Sequence, residues 1–431
     1  MSILSSFIRH TTYPLYLMRY GRKSALRRFS QISALDCTRE NAPAIKERQR
    51  AHLQRILQYA YDHSRWYRRR FDEAGVRRDQ LTGPAVLPDL PVITRAELRD
   101  HMDEILSDAY PREALLSAKT GGSTMEPLMF YRDTVVLDYR IGFELYLNEV
   151  SGWRIGEPWV NFWGHLDDIP DEEIMKKLKY TVFNGLTRRM IACNATFLDE
   201  ERLTKLAERM QSKKPTWVFG YPRAIATFAR FATTNRIELP PLRGVLVTAE
   251  PMPADDKRAI SECFGHQPID RYASRELGMV AQECKAHCGL HVMTDNVFVE
   301  YLRSDDAGNS PQRLVITDLH NTGMPLIRYE TDDVADPLAD FGEAQCNCRF
   351  SGLPLMSHIG GRVTDMFIRD DGSWFTGLDV PGLRMAETGW VNQIQYIQTG
   401  VNELTVNIVK GAKFNDDVLP YLNREVAAVF R

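Results

Sequence analysis

Hydrophobic and polar residues alternate along this chain with a helical period in some segments and as short apolar runs in others. Apolar side chains recur at helical spacing across residues 40 to 80, which predicts a helical region. Further along, strand-like runs such as "TWVFGYP" and "LRGVLVTAE" alternate with amphipathic stretches such as "RAIATFARFATTNRI" and "ADDKRAISECFG". This alternation favours an α/β fold with a largely parallel sheet, in which functional loops follow the strand ends.

The pattern becomes richer in strands from residue 290 onward, where "GLHVMTDNVFVEYL", "RLVITDL" and "PLIRYETDD" follow one another. A smaller α+β unit begins after "HIGGRVTDMFIRDDGSWF". We therefore expect three parts. They are a basic N-terminal segment (1–40), a large α/β domain with mainly parallel sheets and a small β-rich subdomain (41–364), and a small C-terminal α+β domain (365–431).

Composition excludes several classes of protein. The 431 residues carry a formal net charge of -3, which gives no reason to expect nucleic acid binding. No apolar run is long enough to predict a membrane-spanning helix. Arg9, His10 and Arg19 interrupt the apolar core that a signal peptide would need. Seven cysteines, an odd number, argue against a disulfide framework, so we expect a cytoplasmic protein.

The N-terminal segment is basic and aromatic, with no acidic residue before Asp36. One interpretation is a packing or capping segment. The other is contact with an anionic membrane surface or a membrane-bound partner. The sequence does not predict an oligomeric state.

A stretch of small and hydroxylated residues, "AKTGGSTMEPLMFYRD" (118–133), leads into an apolar, strand-like run. Glycine lets several backbone N–H groups point into one concavity, and hydroxyl groups add donors, so this composition suits a phosphate-binding loop. Lys119 places a cation at its edge. The stretch is not a Walker A loop, because the G-x-x-x-x-G-K-[ST] pattern does not occur. Taken alone, it fits a plain turn equally well.

Five segments, in this order, resemble motifs of the adenylate-forming (acyl- and aryl-CoA synthetase) superfamily. The stretch at 120–127 resembles T-S-G-[ST]-T-G-x-P, and "VTAEPM" resembles G-A-E-P. The segments "RYASRELG", "IRYETDDV" and "GGRVTDMF" resemble Y-G-x-[TS]-E, R-Y-x-T-G-D and the hinge motif G-R-x-x-D. Segments such as "PVITRAELR" and "ELGMVAQEC" are most similar to the phenylacetate–CoA ligase branch and its capsule-biosynthesis (CapK-like) relatives.

The resemblance implies a role for each matched residue. The phosphates of ATP would be bound by the loop residues Thr120, Gly122, Ser123 and Thr124. The adenosine would be bound by Ala249, Glu250, Pro251, Tyr272, Ser274 and the ribose-binding Asp333. Two catalytic residues are implied, Glu276 as the Mg²⁺ ligand and Arg362 near the ribose or phosphate, with Asp365 as the pivot of the small domain. Trp163, His165 and Tyr221 are candidates for the acyl pocket, although each is equally consistent with core packing.

Adenylation joins two anions, so it depends on positioning and on neutralising charge at the phosphoryl oxygens. We therefore predict a ligase that uses ATP and Mg²⁺ to convert a carboxylic acid to an acyl-adenylate and pyrophosphate. The acceptor would be CoA, or an amine or hydroxyl as in capsule-type relatives. The aromatic pocket candidates favour an aryl acid.

A cysteine and histidine cluster predicts a closed, structural zinc site. Short spacings of thiol and imidazole groups suit tetrahedral Zn²⁺, and the C-x-C pair supplies two ligands from one loop. Matching to the branch gives the ligands Cys284, His291, Cys346 and Cys348. Cys288 or His287 would serve as substitutes, and a group of free cysteines is the alternative.

Three departures from the superfamily pattern support a different hypothesis. Met125 and Ala273 replace motif glycines. The superfamily carries a catalytic lysine in a C-terminal G-K motif, but no such dipeptide follows Asp365, and Lys410 and Lys413 do not match its context. Either the C-terminal unit is shortened or its end is missing. The alternatives are thus a catalytically impaired, zinc-stabilised nucleotide-binding or assembly protein, or a ligase of surface-polysaccharide synthesis.

Overall fold

The computed structural model describes the chain except for residues 1, 120–127, 165–177, 197, 304–311, 363–365, 370, 372, 377–388, 402 and 431. The chain divides into two compact units. Unit 1 contains Met1–Val299, Ile316–Tyr329 and Pro337–His358, and unit 2 contains Glu300–Val315, Glu330–Asp336 and Ile359–Arg431. The domain boundaries proposed at residues 40 and 364 stay predictions.

Most of the α-helices belong to unit 1. In chain order they are α1 (Ile3–Phe7), α2 (Tyr13–Arg19), α3 (Ala25–Ser33), α4 (Ala42–His63), α5 (Arg65–Glu73), α6 (Arg95–Asp100), α7 (Met102–Ile105), α8 (Thr134–Val150), α9 (Leu178–Gly185), α10 (Glu200–Lys213), α11 (Pro222–Thr234) and α12 (Ala254–Phe264). A π-helical turn, Ile8–Thr12, joins α1 to α2. Unit 2 contains α13 (Val418–Phe430). Short 3₁₀ turns lie at Arg39–Asn41, Arg78–Gln80, Pro84–Asp89 and Arg112–Ala114.

The helical region predicted for residues 40 to 80 consists of two main helices. The chain leaves the helical conformation at Ser64, whose φ and ψ of -120° and 119° are extended. The Ser64 hydroxyl accepts a hydrogen bond from the backbone N–H of Tyr67 at 3.4 Å and so caps the start of α5. Apolar spacing alone does not reveal this break, because the pattern continues on both sides of it.

The strands, in chain order, are β1 (Leu116–Lys119), β2 (Met129–Arg132), β3 (Trp159–Trp163), β4 (Met190–Asn194), β5 (Trp217–Gly220), β6 (Gly244–Thr248), β7 (Ile269–Ser274), β8 (Gly278–Glu283), β9 (Leu290–Val292), β10 (Val297–Leu302), β11 (Arg313–Asp318), β12 (Tyr329–Val334), β13 (Pro337–Ala339), β14 (Leu355–Met356), β15 (Met366–Ile368), β16 (Trp374–Thr376), β17 (Val391–Gly400) and β18 (Glu403–Lys410). The largest sheet has nine strands in the order β13-β14-β9-β8-β7-β6-β5-β3-β4. A three-stranded sheet has the order β10-β11-β12, and β1-β2, β15-β16 and β17-β18 are two-stranded.

The nine-stranded sheet is parallel in one half and antiparallel in the other. Strands β4, β3, β5, β6 and β7 run parallel to one another. Strands β8, β9, β14 and β13 continue the sheet with antiparallel pairing. The α/β fold expected from the sequence is therefore confirmed, with the difference that strands of the β-rich region extend the same sheet.

Helices cover both faces of the parallel half, and successive strand residues alternate between them. On β6, Val245 and Val247 pack into a cluster with α10, α11 and α12 that includes Phe228 and Ile260. Leu246 points the other way, into a cluster that contains Ile8, Tyr13 and Leu17 of the N-terminal helices. Because both faces are buried, the strand reads as a continuous apolar run rather than an alternating one.

Unit 2 contains a small α+β assembly, as the sequence predicted for the C-terminal part. The long hairpin β17-β18 packs with α13 through Val391, Val418 and Leu422. A second cluster brings Phe367 and Phe375 of the β15-β16 hairpin against Phe430 of α13.

Candidate adenylation site and metal cluster

The carboxyl ends of the parallel strands lie at one edge of the nine-stranded sheet. Thr248, at the end of β6, is aligned with Arg271 on β7. The chain therefore leaves β6 as Ala249 and Glu250 beside Tyr272. These candidates for the nucleotide site come from separate segments and meet here because parallel strands end at a common edge.

Two of the three acyl-pocket candidates form an aromatic pair at the same edge. The rings of Trp163, at the end of β3, and Tyr221, just after β5, stack with centroids 4.6 Å apart. Gly220 between them has a φ of +146°, and a Cβ there would lie 2.0 Å from the carbonyl oxygen of Phe162. The close approach of β3 and β5 at this end thus requires glycine. His165, the third candidate, lies outside the described residues.

Ala249 holds a strained backbone conformation at the end of β6. Its φ is +71°, a region that residues other than glycine enter at a cost of roughly 1–3 kcal/mol. Such strain is found at sites where the chain must turn sharply to present the next side chain. Glu250, the next residue, is exposed, although neighbouring protein atoms partly desolvate its carboxyl group. The resulting desolvation raises the pKa of Glu250, and Arg223 opposes the rise.

The turn between β7 and β8 carries Glu276, which is buried. The Ser274 hydroxyl accepts a hydrogen bond from the backbone N–H of Leu277 at 3.1 Å and closes the turn. The Arg140 guanidinium, on α8, donates to the carbonyl oxygens of Arg275, at 3.2 Å, and of Glu276. Hydrogen bonds from Arg140 and within the turn therefore fix the backbone that carries Glu276.

The phosphate-loop candidate connects β1 to β2, and its first flanking residue reaches this turn. The two strands form an antiparallel hairpin in which Lys119 is aligned with Met129. The Arg275 guanidinium donates to the carbonyl oxygen of Lys119 at 3.2 Å. The segment 120–127 therefore begins beside the residue that precedes Glu276. Its candidate residues Thr120, Gly122, Ser123 and Thr124 lie outside the described residues.

Unit 2 brings two further candidates together. Asp333 and Arg362 form an isolated antiparallel bridge, and the Arg362 Nε lies 3.8 Å from the Asp333 Oδ1. Asp332 has a φ of +63° at the position where the superfamily motif carries glycine. Aspartate is among the residues that tolerate this conformation, so the turn is kept without glycine. Asp365 lies outside the described residues.

The predicted metal ligands of unit 1 converge at the antiparallel half of the large sheet. Cys284 follows β8, His291 lies on β9, and Cys346 and Cys348 lie between β13 and β14. Their ligand atoms all lie within 4.8 Å of one another. The Cys284 and Cys346 sulfurs are 3.2 Å apart, and the Cys348 sulfur is 3.5 Å from His291 Nε2. Three thiols and one imidazole in this arrangement fit a tetrahedral Zn²⁺ site.

The cluster favours negative charge on the Cys284 sulfur, whereas burial raises the pKa of the Cys346 thiol and the hydrogen bond to Cys284 raises that of the Cys348 thiol. The Cys348 thiol donates to Cys284 and lowers the pKa of the Cys284 thiol, with a further contribution from His291. Backbone N–H groups of Ala286 and Phe350 point at the Cys284 and Cys348 sulfurs at 3.4 and 3.3 Å. Such donors stabilise thiolates, which are the form that binds metal.

His287 and Cys288, the two substitute ligands suggested by the sequence, have different surroundings from the four converging residues. The His287 ring is hydrogen-bonded at 3.0 Å to Glu283, a buried carboxylate that also contacts His358 at 3.1 Å. Cys288 lies near the cluster, and burial is the main cause that raises the pKa of its thiol to about 12. Neither belongs to the group of converging atoms among the described residues.

Several residues of these sites were not found by sequence reasoning. Arg140, Arg275 and Asp318 support the Glu276 turn, and Glu283 and His358 lie behind the metal cluster. Arg140 lies in the middle of a helix, and its partners are more than 130 residues away in the chain. No local pattern marks such contacts. Arg275 precedes Glu276 and Glu283 precedes Cys284, and this proximity to predicted site residues is the sequence signal that would have suggested Arg275 and Glu283.

The chain is similar to curated and structurally characterised ligases. It is 23% identical to protein CapK of Staphylococcus aureus over 341 residues, which are 78% of this chain and 72% of that protein. It is 27% identical to the phenylacetate–coenzyme A ligase of Thermus thermophilus over 347 residues, covering 77% of this chain and 72% of the relative. No family model matches the chain.

The fold is shared with a solved ligase structure. A 2-hydroxyisobutyryl-CoA ligase, crystallised in the postadenylation state with an acyl-adenylate, superposes with a TM-score of 0.63 at 18% identity, over 91% of this chain and 84% of that one. The chain is thus similar in sequence to phenylacetate–CoA ligases and to CapK, and it shares its fold with a 2-hydroxyisobutyryl-CoA ligase.

Proposed function

We propose that this protein is an ATP-dependent ligase that activates a carboxylic acid as an acyl-adenylate and transfers the acyl group to CoA. The observation that carries the proposal is the common strand edge at which Ala249, Glu250 and Tyr272 meet, next to the Glu276 turn. In the first half-reaction, a carboxylate oxygen attacks the α-phosphorus of ATP, and the bond to the bridging oxygen breaks to release pyrophosphate. In the second, the thiol sulfur attacks the acyl carbon, AMP leaves, and the thiol proton passes to solvent.

The residues of this chain have distinct tasks in the proposal. Tyr272 would stack on the adenine, and Asp333 would accept hydrogen bonds from the ribose hydroxyls. Arg362, which pairs with Asp333, would place positive charge near the ribose or phosphate. Bound Mg²⁺, with Glu276 as a ligand, would neutralise charge on the phosphate oxygens. Loop residues Thr120, Gly122, Ser123 and Thr124, and the pivot Asp365, keep the roles that the resemblance implies.

The stacked pair Trp163 and Tyr221 favours an aryl acid as the substrate. Two aromatic faces at the sheet edge offer a flat, apolar surface to a ring. His165 stays a candidate for the same pocket. Among acceptors, CoA has the support of the relatives named above, and an amine or hydroxyl group is the alternative.

We also propose that Cys284, His291, Cys346 and Cys348 hold a structural Zn²⁺. Four protein ligands fill a tetrahedral site, which leaves no open position for catalysis. When bound, the metal would tie β8 and β9 to the loop before β14.

The test of the main proposal is exchange of labelled pyrophosphate into ATP, without CoA, against a panel of aryl and aliphatic acids. We expect exchange that depends on the acid, and an acyl-CoA product by mass spectrometry when CoA is added. Glu276→Gln should lower exchange on the order of 10²-fold. Glu262→Gln, on the exposed side of α12, is the matched control and should leave it unchanged.

The competing function is a nucleotide-binding or assembly protein without turnover. Met125, Ala273 and the absence of a G-K dipeptide after Asp365 are the features that favour it. Binding of ATP by calorimetry, with no exchange for any acid in the panel, would establish this function instead.

A further inference from the structure

The N-terminal helices present apolar side chains on two opposite faces. One face packs on the protein body through Ser5, Ile8, Tyr13 and Leu17. Ile8 and Tyr13 are five residues apart, and the π-helical turn between them keeps both on the same side, since a π-turn takes up an extra residue. The inner face of the N-terminal helices is therefore buried against the rest of unit 1.

The opposite face is apolar as well, but it is exposed. Ile3, Phe7, Leu15 and Met18 are exposed by 93%, 48%, 59% and 52%. They recur at helical spacing, which puts them on one side. An amphipathic surface helix would carry polar residues there.

Helix α9 extends this exposed surface. The Tyr16 and Phe183 rings lie 5.8 Å apart, and the Thr12 hydroxyl donates to the carbonyl oxygen of Leu186. Val182 and Leu186 are themselves exposed, by 50% and 41%. The outer surface of α1, α2 and α9 thus forms one apolar patch, and we refer to it as the N-terminal patch.

The part of the sequence that forms α1 and α2 is basic. No acidic residue precedes Asp36 in the sequence. Arg9 and Arg22 are used internally, against Glu149 at 2.8 Å and Asp138 at 4.0 Å.

Arg28 is half-buried and donates a hydrogen bond to Gln31 at 3.2 Å, which leaves the cations Arg19, Lys23 and Arg27. All three are exposed, and within the described part of the chain they take part in no ion pair. An apolar stripe bordered by cations matches the two parts of an anionic bilayer surface, the acyl boundary and the headgroups. A second copy of the chain would bring two positive surfaces together, which is electrostatically unfavourable.

We propose that the N-terminal patch docks this protein on an anionic lipid surface, with Ile3, Phe7, Leu15 and Met18 entering the interface and Arg19, Lys23 and Arg27 facing the headgroups. The helices would lie in the plane of the surface. None of the helices described is long and apolar enough to cross a membrane. The proposal does not depend on the ligase activity.

The test is co-sedimentation of the full chain with vesicles of phosphatidylcholine alone or mixed with phosphatidylglycerol. We expect binding to the mixed vesicles, weak binding to the neutral ones, and loss of binding as salt is raised. The variant Phe7→Ser/Leu15→Ser/Met18→Ser should lose binding to both. Its control, Leu338→Ser/Val409→Ser/Leu419→Ser, changes equally exposed apolar residues elsewhere and should bind as the unaltered chain does.

Arg19→Gln/Lys23→Gln/Arg27→Gln separates charge from apolar contact. We expect about a fivefold loss of affinity per cation on the mixed vesicles only. Circular dichroism of each variant should match the unaltered chain. The proposal is overturned by absence of binding to mixed vesicles, by equal binding to both compositions, or by a dimer in light scattering that the serine variant converts to a monomer.

Discussion

Arg140 and Asp318 form a buried ion pair beneath the Glu276 turn, with the Arg140 Nη2 2.5 Å from the Asp318 Oδ2. Asp318 also accepts backbone hydrogen bonds from His320 and Asn321, at 2.8 and 3.2 Å. The guanidinium is thus fixed by the carboxylate and used to hold two carbonyl oxygens of the turn. In the proposed reaction, Arg140 would therefore be a positioning residue, because it contacts the backbone at Glu276.

Arg140→Lys should lower pyrophosphate exchange about tenfold and raise the Mg²⁺ concentration needed for half-maximal rate. A lysine keeps the charge opposite Asp318 but cannot reach both carbonyl oxygens, because it lacks the planar fork of arginine. The measurement is exchange rate against Mg²⁺ concentration. Arg230→Lys, in the ion pair with Asp256 that joins α11 and α12, is the control and should leave both quantities unchanged. If the Mg²⁺ concentration for half-maximal rate is unchanged in Arg140→Lys, Arg140 stabilises the fold but does not position Glu276.

Asp318→Asn should lower the free energy of unfolding by about 3 kcal/mol. Removing one partner of a buried pair leaves the other charge without compensation. Urea unfolding measures the change. The double variant Arg140→Met/Asp318→Leu should lose less free energy of unfolding than Arg140→Met and Asp318→Leu lose in sum, because no unpaired charge remains in it. Additive losses would contradict the pairing.

Tyr221→Ala should raise the KM for aryl acids about tenfold or more and leave the KM for ATP unchanged. The substitution removes one of the two stacked rings at the sheet edge, whereas the adenosine candidates lie just after β6 and on β7 and β12. Steady-state kinetics with an aryl and an aliphatic acid measure the effect. The control is Tyr20→Ala, which removes an exposed tyrosine ring in the N-terminal segment and should leave both KM values unchanged. Equal effects on both acids would argue against an aryl pocket.

The purified protein should contain one zinc ion per chain, and Cys346→Ser should remove it. Cys288→Ser and His287→Asn should retain it, because these residues are not among the four converging ligands. Elemental analysis measures the metal, and thermal unfolding with a chelator measures its contribution to stability. Cys193→Ser, on β4, controls for loss of a thiol elsewhere. If Cys288→Ser loses zinc and Cys348→Ser retains it, the fourth ligand is Cys288 rather than Cys348.

The protein should become less stable as the pH falls below 6.5, through His320. This ring stacks on Tyr139, with centroids 3.8 Å apart, and its Nε2 donates to the carbonyl oxygen of Asp295 at 2.6 Å. Burial lowers the pKa of His320 to about 3 from its ordinary value of 6.5. The unfolded chain therefore takes up a proton between these values, and the folded chain does not.

The stability that His320 contributes is thus complete above pH 6.5 and declines as the pH falls toward 3, by up to about 1.4 kcal/mol per pH unit. Urea unfolding at several pH values measures the slope. His320→Asn should flatten it, whereas His10→Asn, on an exposed ring, should not. Equal slopes for His320→Asn and the unaltered chain would show that another group is responsible.

The sequence predicted the alternation of strands and helices well, because period and composition are local properties. It also predicted that Cys284, His291, Cys346 and Cys348 would meet, since their residue types and spacings suit one chemistry. It named Trp163 and Tyr221 together as pocket candidates, and their rings stack on each other, while their role in an acyl pocket stays a prediction. The roles assigned to the site residues stay predictions, among them those of Glu276 and Asp333 as well as those of Thr120, Thr124, His165 and Asp365.

What the sequence did not predict depends on contacts between distant segments. The Arg140 interactions with the turn and the contact of Arg275 with Lys119 follow from how α8 and the β1-β2 hairpin pack, and packing has no local signature. The break at Ser64 was missed for a different reason, since both helices keep the same apolar spacing. The strands after residue 290 were expected to form a β-rich region, but the membership of β9, β13 and β14 in the large sheet depends on strand pairing.

Strand β8 has a consequence for the sensitivity of the protein to oxidants. Glu276 lies two residues before the strand and Cys284 directly follows it, and six extended residues span about 20 Å. Strand β8 is hydrogen-bonded to β7 on one side and to β9 on the other, so its two ends belong to one continuous strand ladder. Damage to the Cys284 thiol by peroxide is therefore expected to disturb the Glu276 turn at the far end of the strand.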